Sequence, residues 1–334
     1  MPITVVGSIA YDAVKTPFGE RERMLGGAAV HFALAASFFD EVSVVGPVGE
    51  DFDEHHLEAM RSRGVLVHDV ERVAGGETFF WRGEYGWDLN SRKTLETRLG
   101  VFEGFQPKLS ERSRGSEVLF LANIQPALQL QVREQLPDAR FVALDSMNLW
   151  IDIARDELVE AIQSVDCLIL NDAELRQLTG KPNLVSAARE ILSWGPPTPP
   201  APSVIGAEQN RAEGRRGPSV IVAKQGEYGA ALVTNDGFFA LPAYPLETVI
   251  DPTGAGDTFA GGFVGYIAAH AEEELSDELL RRAMAHGTAL ASFNVEQFGT
   301  ERIERLTGEE ISARVQELSE ITRFIGAPLA RLRG

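Results

Sequence analysis

The residues whose types and spacing most clearly suggest chemistry lie late in the chain, in the run DPTGAGD from Asp251 to Asp257. A strand-like segment ends at Ile250, and a long apolar helix is predicted to begin near Asp257. The first N–H groups of a helix are unpaired and lie at the positive end of its dipole, so they attract an anion. Gly254 and Gly256 carry no Cβ and let a ligand approach the backbone. The run therefore predicts an anion site beside a carboxylate.

The carboxylate of Asp257 has two interpretations. Beside a bound phosphate it can accept the proton of a hydroxyl group that attacks phosphorus. Alternatively, it only caps the helix. The two commonest phosphate-binding signatures, GxxxxGKS/T and a GxGxxG after the first strand, do not occur in the sequence. A phosphoryl-transfer site would therefore be of another kind, and a nicotinamide-dependent dehydrogenase is disfavoured.

The composition limits the classes of function. Of the 334 residues, 44% are hydrophobic and 24% are charged, which is typical of a globular protein. The formal net charge of −18 disfavours nucleic-acid binding, because such a chain repels phosphate backbones. The single cysteine, Cys167, excludes an internal disulfide. We find neither a signal-peptide core nor an apolar stretch of about 18 residues, so we expect a cytoplasmic protein with no nucleic-acid or membrane partner.

Most of the chain alternates between short buried strands and helices, which predicts an α/β fold with a parallel sheet covered on both faces. Buried strands are predicted at 3–8, 42–48, 118–122, 141–145, 167–171 and 220–223. Helices are predicted at 26–39, 51–63, 126–136, 156–165, 172–178 and 184–194, from 257 onward, and at 277–293 and 307–324.

Two kinds of segment interrupt this alternation. Residues 78–85 and 94–102 are extended and rich in aromatic side chains, and they predict antiparallel strands that project from the main body. Residues 195–218 are rich in proline and glycine and lack the periodicity of a core element. We expect that segment to be a surface insertion without chemistry.

Four landmarks, in order along the chain, resemble one protein family. The full run DPTGAGDTFAGGF resembles the C-terminal signature of the PfkB (ribokinase-like) family of carbohydrate and nucleoside kinases. The pair Gly26-Gly27 before an alanine-rich helix resembles its N-terminal signature. The run from Asn171 to Glu174 matches its NxxE motif, and Val222 to Ala230 resembles its nucleotide-binding strand and turn. The resemblance covers nearly the whole chain, and the insertion departs from it.

The resemblance implies a ribokinase-like fold, which is a three-layer α/β/α sandwich with a mostly parallel central sheet and a small β-sheet lid. It divides the chain into a kinase core (1–11, 27–76 and 102–334), which contains the 195–218 insertion, and a lid (12–26 and 77–101). Proteins of this family often form homodimers through the lid sheet, so a homodimer is a further expectation.

The resemblance also implies a reaction. Asp257 would be the general base that activates the acceptor hydroxyl, and the N–H groups of Gly254, Ala255 and Gly256 would form an anion hole for the transferred phosphoryl group. Transfer would proceed by positioning and charge stabilisation, without a covalent enzyme intermediate.

ATP and Mg²⁺ are the cofactors that the resemblance implies. ATP would bind near Lys224, Gly226 and Asn171, and Glu174 would hold Mg²⁺ through water. Asn171 and Glu174 also suit a helix cap, and Lys224 also suits an ordinary lysine at a strand end, so both alternatives stay open.

The acceptor pocket and a cation site are the remaining implied features. Asp251 and Thr253 match positions near a monovalent-cation (K⁺) site found in some members. A carboxylate after the first strand is well placed to accept hydrogen bonds from sugar hydroxyls. The candidate acceptor-binding residues are Asp12, Gly26, Gly27, His31, Asn123 and Arg82.

The acceptor itself has three interpretations. Segments such as GSIAYD and DLNSRKTLETRLGVF resemble bacterial nucleoside kinases of the adenosine-kinase type, which implies ATP-dependent phosphorylation of a nucleoside 5′-hydroxyl. A sugar or polyol kinase, for example of ribose, fructose or myo-inositol, is the alternative within the same family. A non-catalytic ligand-binding protein is the third, and the intact GAGD run argues against it.

Overall fold

Runs rich in valine, leucine and isoleucine form the strands of one large sheet. The computed structural model describes residues 1–194 and 217–324. Within them the large sheet has nine strands, in the order β13-β12-β11-β10-β9-β8-β1-β4-β5. Numbered along the chain, these are β1 (Ile3–Val6), β4 (Val42–Gly49), β5 (Val65–Val73), β8 (Val118–Leu121), β9 (Phe141–Asp145), β10 (Cys167–Asn171), β11 (Val220–Lys224), β12 (Ala230–Thr234) and β13 (Phe238–Leu241).

The large sheet is mostly parallel. Every pairing from β5 across to β11 is parallel, whereas β11 with β12 and β12 with β13 are antiparallel. Parallel strands need crossover connections, and helices supply most of them. The expectation of a mostly parallel sheet is confirmed.

Helices cover both faces of this sheet. Alternate side chains of a strand point to opposite faces. Ile3 and Val5 join a buried cluster with α1, α9 and α10, whereas Val6 joins a second cluster with α4, α6, α7 and α8. The three-layer arrangement is therefore confirmed. The helices are α1 (Ala28–Ala36), α2 (Glu54–Ser62), α3 (Glu111–Arg114), α4 (Pro126–Gln135), α5 (Asn148–Ile153), α6 (Arg155–Gln163), α7 (Asp172–Thr179), α8 (Leu184–Leu192), α9 (Ala255–Ala269), α10 (Asp277–Asn294), α11 (Glu301–Arg305) and α12 (Gly308–Ile321).

A second, four-stranded sheet, which we call the lid sheet, contains the two aromatic segments and the residues that follow β1. Its strands are β2 (Ala10–Thr16), β3 (Gly19–Gly26), β6 (Phe79–Tyr85) and β7 (Arg92–Arg98), in the order β3-β2-β6-β7. The β2–β6 pairing is parallel and the other two pairings are antiparallel.

Two expectations about the elements need correction. The strand predicted at 94–102 begins earlier, at Arg92, and ends at Arg98. Gly100 has a φ of 54°, a left-handed conformation that ends the strand, and a 3₁₀ helix follows at Gly100–Gly104. Strand β5 was missed, because it lies at the sheet edge and many of its side chains are exposed or polar.

The predicted insertion at 195–218 lies outside the described residues, except for its last two positions. Among the helices of the described chain, none combines the length and the apolar character that crossing a membrane requires.

Candidate active site

Polar side chains gather where the parallel strands of the large sheet end. Asn123 lies two positions after the end of β8. Asp145, Asn171 and Lys224 are the last residues of β9, β10 and β11. Asn171 and Lys224 are paired neighbours in the sheet. The carboxyl edge of an open α/β sheet is where ligands bind in such folds. Two of the residues predicted to bind ATP, Asn171 and Lys224, therefore lie along one edge together with Asn123 and Asp145.

The DPTGAGD run forms a loop that opens α9. Gly254 is the N-cap residue of this helix and has a φ of 74°, a conformation that favours glycine. The buried Asp251 carboxylate holds the loop, because its Oδ1 accepts the Thr253 N–H at 2.9 Å and its Oδ2 accepts the Gly299 N–H at 3.0 Å. A fully buried side chain thus holds the loop in place through two hydrogen bonds.

Three backbone amides at the start of α9 are predicted to form the anion hole, and within the described chain two of them are free to bind a ligand. The Ala255 N–H contacts the Pro252 carbonyl oxygen at 3.3 Å. The amides of Gly254 and Gly256 form no hydrogen bond with any residue that the structure describes. Because these amides stand at the start of a 15-residue helix, they suit an anionic ligand.

Lys224 and Asp145 form an ion pair beside this loop. Lys224 Nζ donates to Asp145 Oδ2 at 2.8 Å, and a Cβ built on Gly256 would lie 3.1 Å from Lys224 Nζ. Burial raises the pKa of Asp145 to about 6, although Lys224 opposes the shift. Burial alone would lower the pKa of Lys224, but Asp145, Asp257 and Glu174 together raise it, so the ammonium stays charged. Asp145 is a site residue that the sequence analysis missed.

Asp257 lies in the first turn of α9 and interacts electrostatically with Lys224. Burial raises the pKa of Asp257, while the positive charges of Lys224 and Arg92 act in the opposite direction. A carboxylate with a raised pKa is a stronger base than an ordinary one, which suits a general base.

Asn171 and Glu174 form a capping box at the start of α7. The Glu174 N–H donates to Asn171 Oδ1 at 2.8 Å, and Glu174 Oε2 accepts the Asn171 N–H at 2.9 Å. The cap interpretation is therefore realised in the structure. Burial, and then repulsion from Asp145, raise the pKa of Glu174 to about 7. Such crowding of carboxylates fits a site for a hard divalent cation, because Mg²⁺ prefers oxygen ligands and relieves their repulsion.

Asp12 on β2 is packed against the double glycine. A Cβ on Gly26 would lie 2.0 Å from Asp12 Oδ2, and a Cβ on Gly27 would lie 2.4 Å from the Ser8 carbonyl oxygen. Both glycines are therefore required by close packing. Burial, then repulsion from Asp251 and other carboxylates, raise the pKa of Asp12 to about 7.

His31 lies beneath the anion loop, and its tautomer follows from its partners. Asn294 Nδ2 donates to the Thr253 carbonyl oxygen at 2.8 Å, so Asn294 Oδ1 is the acceptor on its other side. That oxygen accepts from Thr258 Oγ1 at 3.0 Å and contacts His31 Nδ1 at 3.1 Å. Nδ1 therefore carries the proton. Within the described residues, the buried Nε2 has no partner, and burial lowers the pKa of His31, so Nε2 is a free acceptor.

The structure places two predicted acceptor residues differently from the rest. Asn123 Oδ1 accepts a hydrogen bond from Trp150 Nε1 at 3.0 Å, which fixes its side chain at the sheet edge. Arg82 lies 3.9 Å from the carboxylates of Glu20 on β3 and Glu96 on β7. These contacts assign Arg82 to the lid sheet and do not bring it to the acidic cluster.

Arg92 on the lid sheet, which the sequence analysis missed, lies near enough to the acidic cluster for its charge to act on these carboxylates. Burial raises the pKa values of Asp12, Glu174 and Asp257, and the charge of Arg92 opposes each rise. Arg92 stands opposite Tyr85 in the β6–β7 ladder. Only the strand register distinguishes Arg92 from the other lid arginines, and the sequence alone did not reveal that register.

The tip of the lid sheet also contacts the turn that follows β11. Gly226, with a φ of 57°, begins the 3₁₀ turn Gly226–Tyr228 that follows β11. Asn90 Nδ2, in the β6–β7 turn, donates to Glu227 Oε1 of this turn at 2.9 Å. The lid sheet therefore bridges the cleft at this point.

Two sequence comparisons point to kinases. The profile of the pfkB family of carbohydrate kinases matches residues 113–305, which is more than half of the chain. The cytidine kinase of Thermococcus kodakarensis is 29% identical over 290 residues, covering 85% of this chain and 95% of that protein. The ribokinase of Lactococcus lactis is 25% identical over 332 residues, covering 95% of this chain and 97% of that protein.

The fold is shared with solved nucleoside kinases. The structure of Burkholderia thailandensis nucleoside kinase in complex with ADP-inosine superposes with a TM-score of 0.71. The two chains are 20% identical, and the match covers 99% of this chain and 100% of the other. At this identity the likeness concerns the fold.

Proposed function

This chain belongs to the pfkB family of carbohydrate kinases and is an ATP-dependent phosphotransferase with an alcohol acceptor, and we propose that it phosphorylates the 5′-hydroxyl of a nucleoside. The similarity to a cytidine kinase over 85% of the chain supports a nucleoside acceptor. The division into a kinase core and a lid, with the boundaries given above, is part of the proposal.

The observation that carries the catalytic proposal is the position of Asp257 between an open helix N-terminus and two cations. The acceptor oxygen attacks the γ-phosphorus, its proton passes to the Asp257 carboxylate, and the bond from the γ-phosphorus to the β,γ-bridging oxygen breaks to release ADP. The amides of Gly254 and Gly256 face the charge that develops on the phosphoryl oxygens, and Lys224 and Arg92 add positive charge.

ATP and its metal ion have matching groups along the edge. Lys224, Gly226 and Asn171 would lie beside the nucleotide phosphates, with the Lys224 ammonium next to Gly256. A bound Mg²⁺ would supply positive charge that offsets the charge of the phosphates. Glu174 would hold it through water, because one of its oxygens already serves the α7 cap.

The acceptor pocket offers hydrogen-bond acceptors suited to hydroxyl groups. The Asp12 carboxylate can accept from two neighbouring ribose hydroxyls, and the orphaned His31 Nε2 can accept from a third. Gly26 and Gly27 let the Asp12 side chain and the backbone at Ser8 pack closely beside this pocket, and Asn123 lies at the sheet edge. Arg82 has no part in this proposal, because its charge partners lie on the lid strands.

The Asp251–Thr253 segment is kept as a proposed monovalent-cation site. Among the described residues, two backbone amides donate to this fully buried carboxylate, and a bound K⁺ would stabilise it further. The expected homodimer through the lid sheet likewise remains a proposal.

A panel of acceptors tests the function. The protein is incubated with ATP, Mg²⁺ and K⁺ and with cytidine, adenosine, inosine, guanosine, uridine, ribose, fructose or myo-inositol, and phosphorylated products are identified by mass. We expect a nucleoside monophosphate, and ³¹P–¹³C coupling should place the phosphate on the 5′ carbon.

Each other outcome of the panel is informative. Sugar phosphate as the main product would contradict the nucleoside proposal and favour the sugar-kinase alternative, which the ribokinase similarity supports. A 3′- or 2′-phosphate would contradict the proposed orientation of the ribose.

A further inference from the structure

Tyr85 is the residue through which the lid sheet touches the anion loop. It ends β6, and its hydroxyl oxygen accepts a hydrogen bond from Thr253 Oγ1 at 3.2 Å. Thr253 directly precedes the N-cap Gly254 of α9. A contact at this place connects a strand of the lid sheet with the loop that carries the proposed anion hole.

The core side of this contact is rigid. Thr253 is buried; its N–H donates to Asp251 Oδ1, and its carbonyl oxygen accepts from Asn294 Nδ2 at 2.8 Å. Asn294 is itself fully buried and is fixed by Thr258. The Tyr85 hydroxyl is therefore anchored to a point that cannot shift without disturbing the loop.

On the lid sheet, the neighbour of Tyr85 is Arg92. Tyr85 and Arg92 are direct partners in the antiparallel β6–β7 ladder, so their side chains lie on the same face of the sheet. The Arg92 guanidinium also lies 5.1 Å from the centre of the Trp81 ring, within cation–π range. All seven side chains of β7 are exposed, so Arg92 needs such neighbours to hold one orientation.

From this geometry we propose that Tyr85 is a positioning residue that holds the Arg92 guanidinium over the phosphoryl-transfer site by tying the lid sheet to Thr253. The proposal rests on the proposed function, because it gives Arg92 a phosphate to face. Tyr85 itself touches no reacting atom in this scheme. The phenol remains a neutral hydrogen-bonding group at neutral pH, since burial raises its pKa above the usual value.

A double-mutant cycle in the full-length protein tests the proposal. Tyr85→Phe removes only the hydroxyl, Arg92→Ala removes the guanidinium, and the double variant combines the two. Tyr244→Phe is the matched control, because that hydroxyl bonds to the exposed Glu317 on the surface. The readouts are kcat and KM for the acceptor, and MgATP affinity by calorimetry.

We expect Tyr85→Phe to lower kcat about tenfold, as the loss of one aligned hydrogen bond would, with the acceptor KM changed less than about twofold. In the Arg92→Ala background the same substitution should change neither kcat nor MgATP affinity further. Tyr244→Phe should behave as wild type.

Three results would overturn the proposal. The first is wild-type behaviour of Tyr85→Phe, and the second is a double variant whose rate loss equals the product of the two single losses. The third is a large rise in acceptor KM with unchanged kcat in Tyr85→Phe, which would make Tyr85 an acceptor-binding residue. If the wild type phosphorylated no acceptor, the proposed function would fail on its own. Calorimetry would then still test the coupling, because Tyr85→Phe should weaken MgATP binding in the wild-type background and not in the Arg92→Ala background.

Discussion

At the scale of single residues, the position of Lys224 could be predicted from the sequence, but its ion partner could not. The end of a buried strand and the following glycine turn placed it correctly at the sheet edge. Its ion partner, Asp145, ends a different strand 79 positions away, and only the sheet order brings β9 next to β10 and then β11. Contacts of this range depend on tertiary packing, so the local pattern could not predict the pair.

The Lys224–Asp145 pair predicts a pH-dependent loss of stability in Lys224→Met. Leaving the buried Asp145 carboxylate without its partner should cost up to about 3–5 kcal/mol at pH 8. Without Lys224 the pKa of Asp145 moves above its present value of about 6, so at pH 6 the carboxyl takes up a proton and the loss shrinks. Urea unfolding at both pH values measures this.

Two controls complete that measurement. Adding Asp145→Asn to Lys224→Met should restore stability at pH 8, but it should not restore kinase activity. Lys15→Met removes an exposed pair with Glu84 and should leave stability nearly unchanged at either pH, because solvent screens such a pair. An equal loss at pH 6 and pH 8 for Lys224→Met would contradict the assigned charge pairing.

At the scale of elements, the glycine-rich loop and its helix followed from the sequence, because the loop signature and the helix periodicity are local. The lid sheet followed only in outline. Its aromatic segments predicted strands, but a register irregularity between Arg82 and Gly83 shifts the pairing that places Arg92 opposite Tyr85. Side-chain alternation along one strand could not reveal that shift, which is why Arg92 was missed.

The start of α9 predicts a large effect for Gly254→Ala. Gly254 has a φ of 74°, and a Cβ there would lie 2.3 Å from the His31 ring, which is fixed by Asn294. We expect a loss of most kinase activity and a lower melting temperature. Gly180→Ala is the matched control: Gly180 has a φ of 70° at the end of α7, but nothing lies within 4 Å of its Cβ position.

The comparison separates strain from contact. Gly180→Ala should cost only about 1 kcal/mol of stability, with full activity, because the left-handed conformation alone is disfavoured. If Gly254→Ala were no worse than Gly180→Ala in both activity and melting temperature, the tight packing of His31 beneath the loop would be refuted.

At the scale of the whole molecule, the cleft concentrates negative charge in a chain that is already acidic. Burial and mutual repulsion raise the pKa values of Asp12 and Glu174 to about 7. A carboxyl whose pKa is higher in the folded state than in the unfolded state binds protons more tightly when folded. Its ionisation therefore opposes folding, and the penalty grows as pH rises from about 4.5 to about 7 and is complete above that.

This crowding predicts that the ligand-free protein melts at a higher temperature at pH 6 than at pH 8. The full penalty from Glu174 alone is on the order of 3 kcal/mol, and roughly 1.4 kcal/mol of it develops between pH 6 and pH 8. Glu174→Gln keeps the cap, since an amide oxygen can accept the Asn171 N–H, but it should lose part of the pH dependence. The exposed Glu157→Gln in the first turn of α6 is the control. Scanning calorimetry decides, and an identical pH dependence in all three proteins would refute the crowding.

The central claim is that Asp257 takes the proton from the hydroxyl group of the phosphate acceptor. In this account ATP binding does not depend on Asp257. The most direct test is the single-turnover rate of phosphoryl transfer from MgATP in Asp257→Asn, with MgATP affinity measured on the same sample. Asp277→Asn, an exposed first-turn aspartate of α10, is the matched control. We expect a rate loss of about 10²–10⁴-fold for Asp257→Asn with MgATP affinity kept, and no change for the control. A folded Asp257→Asn protein that transfers phosphate at the wild-type rate would contradict the account.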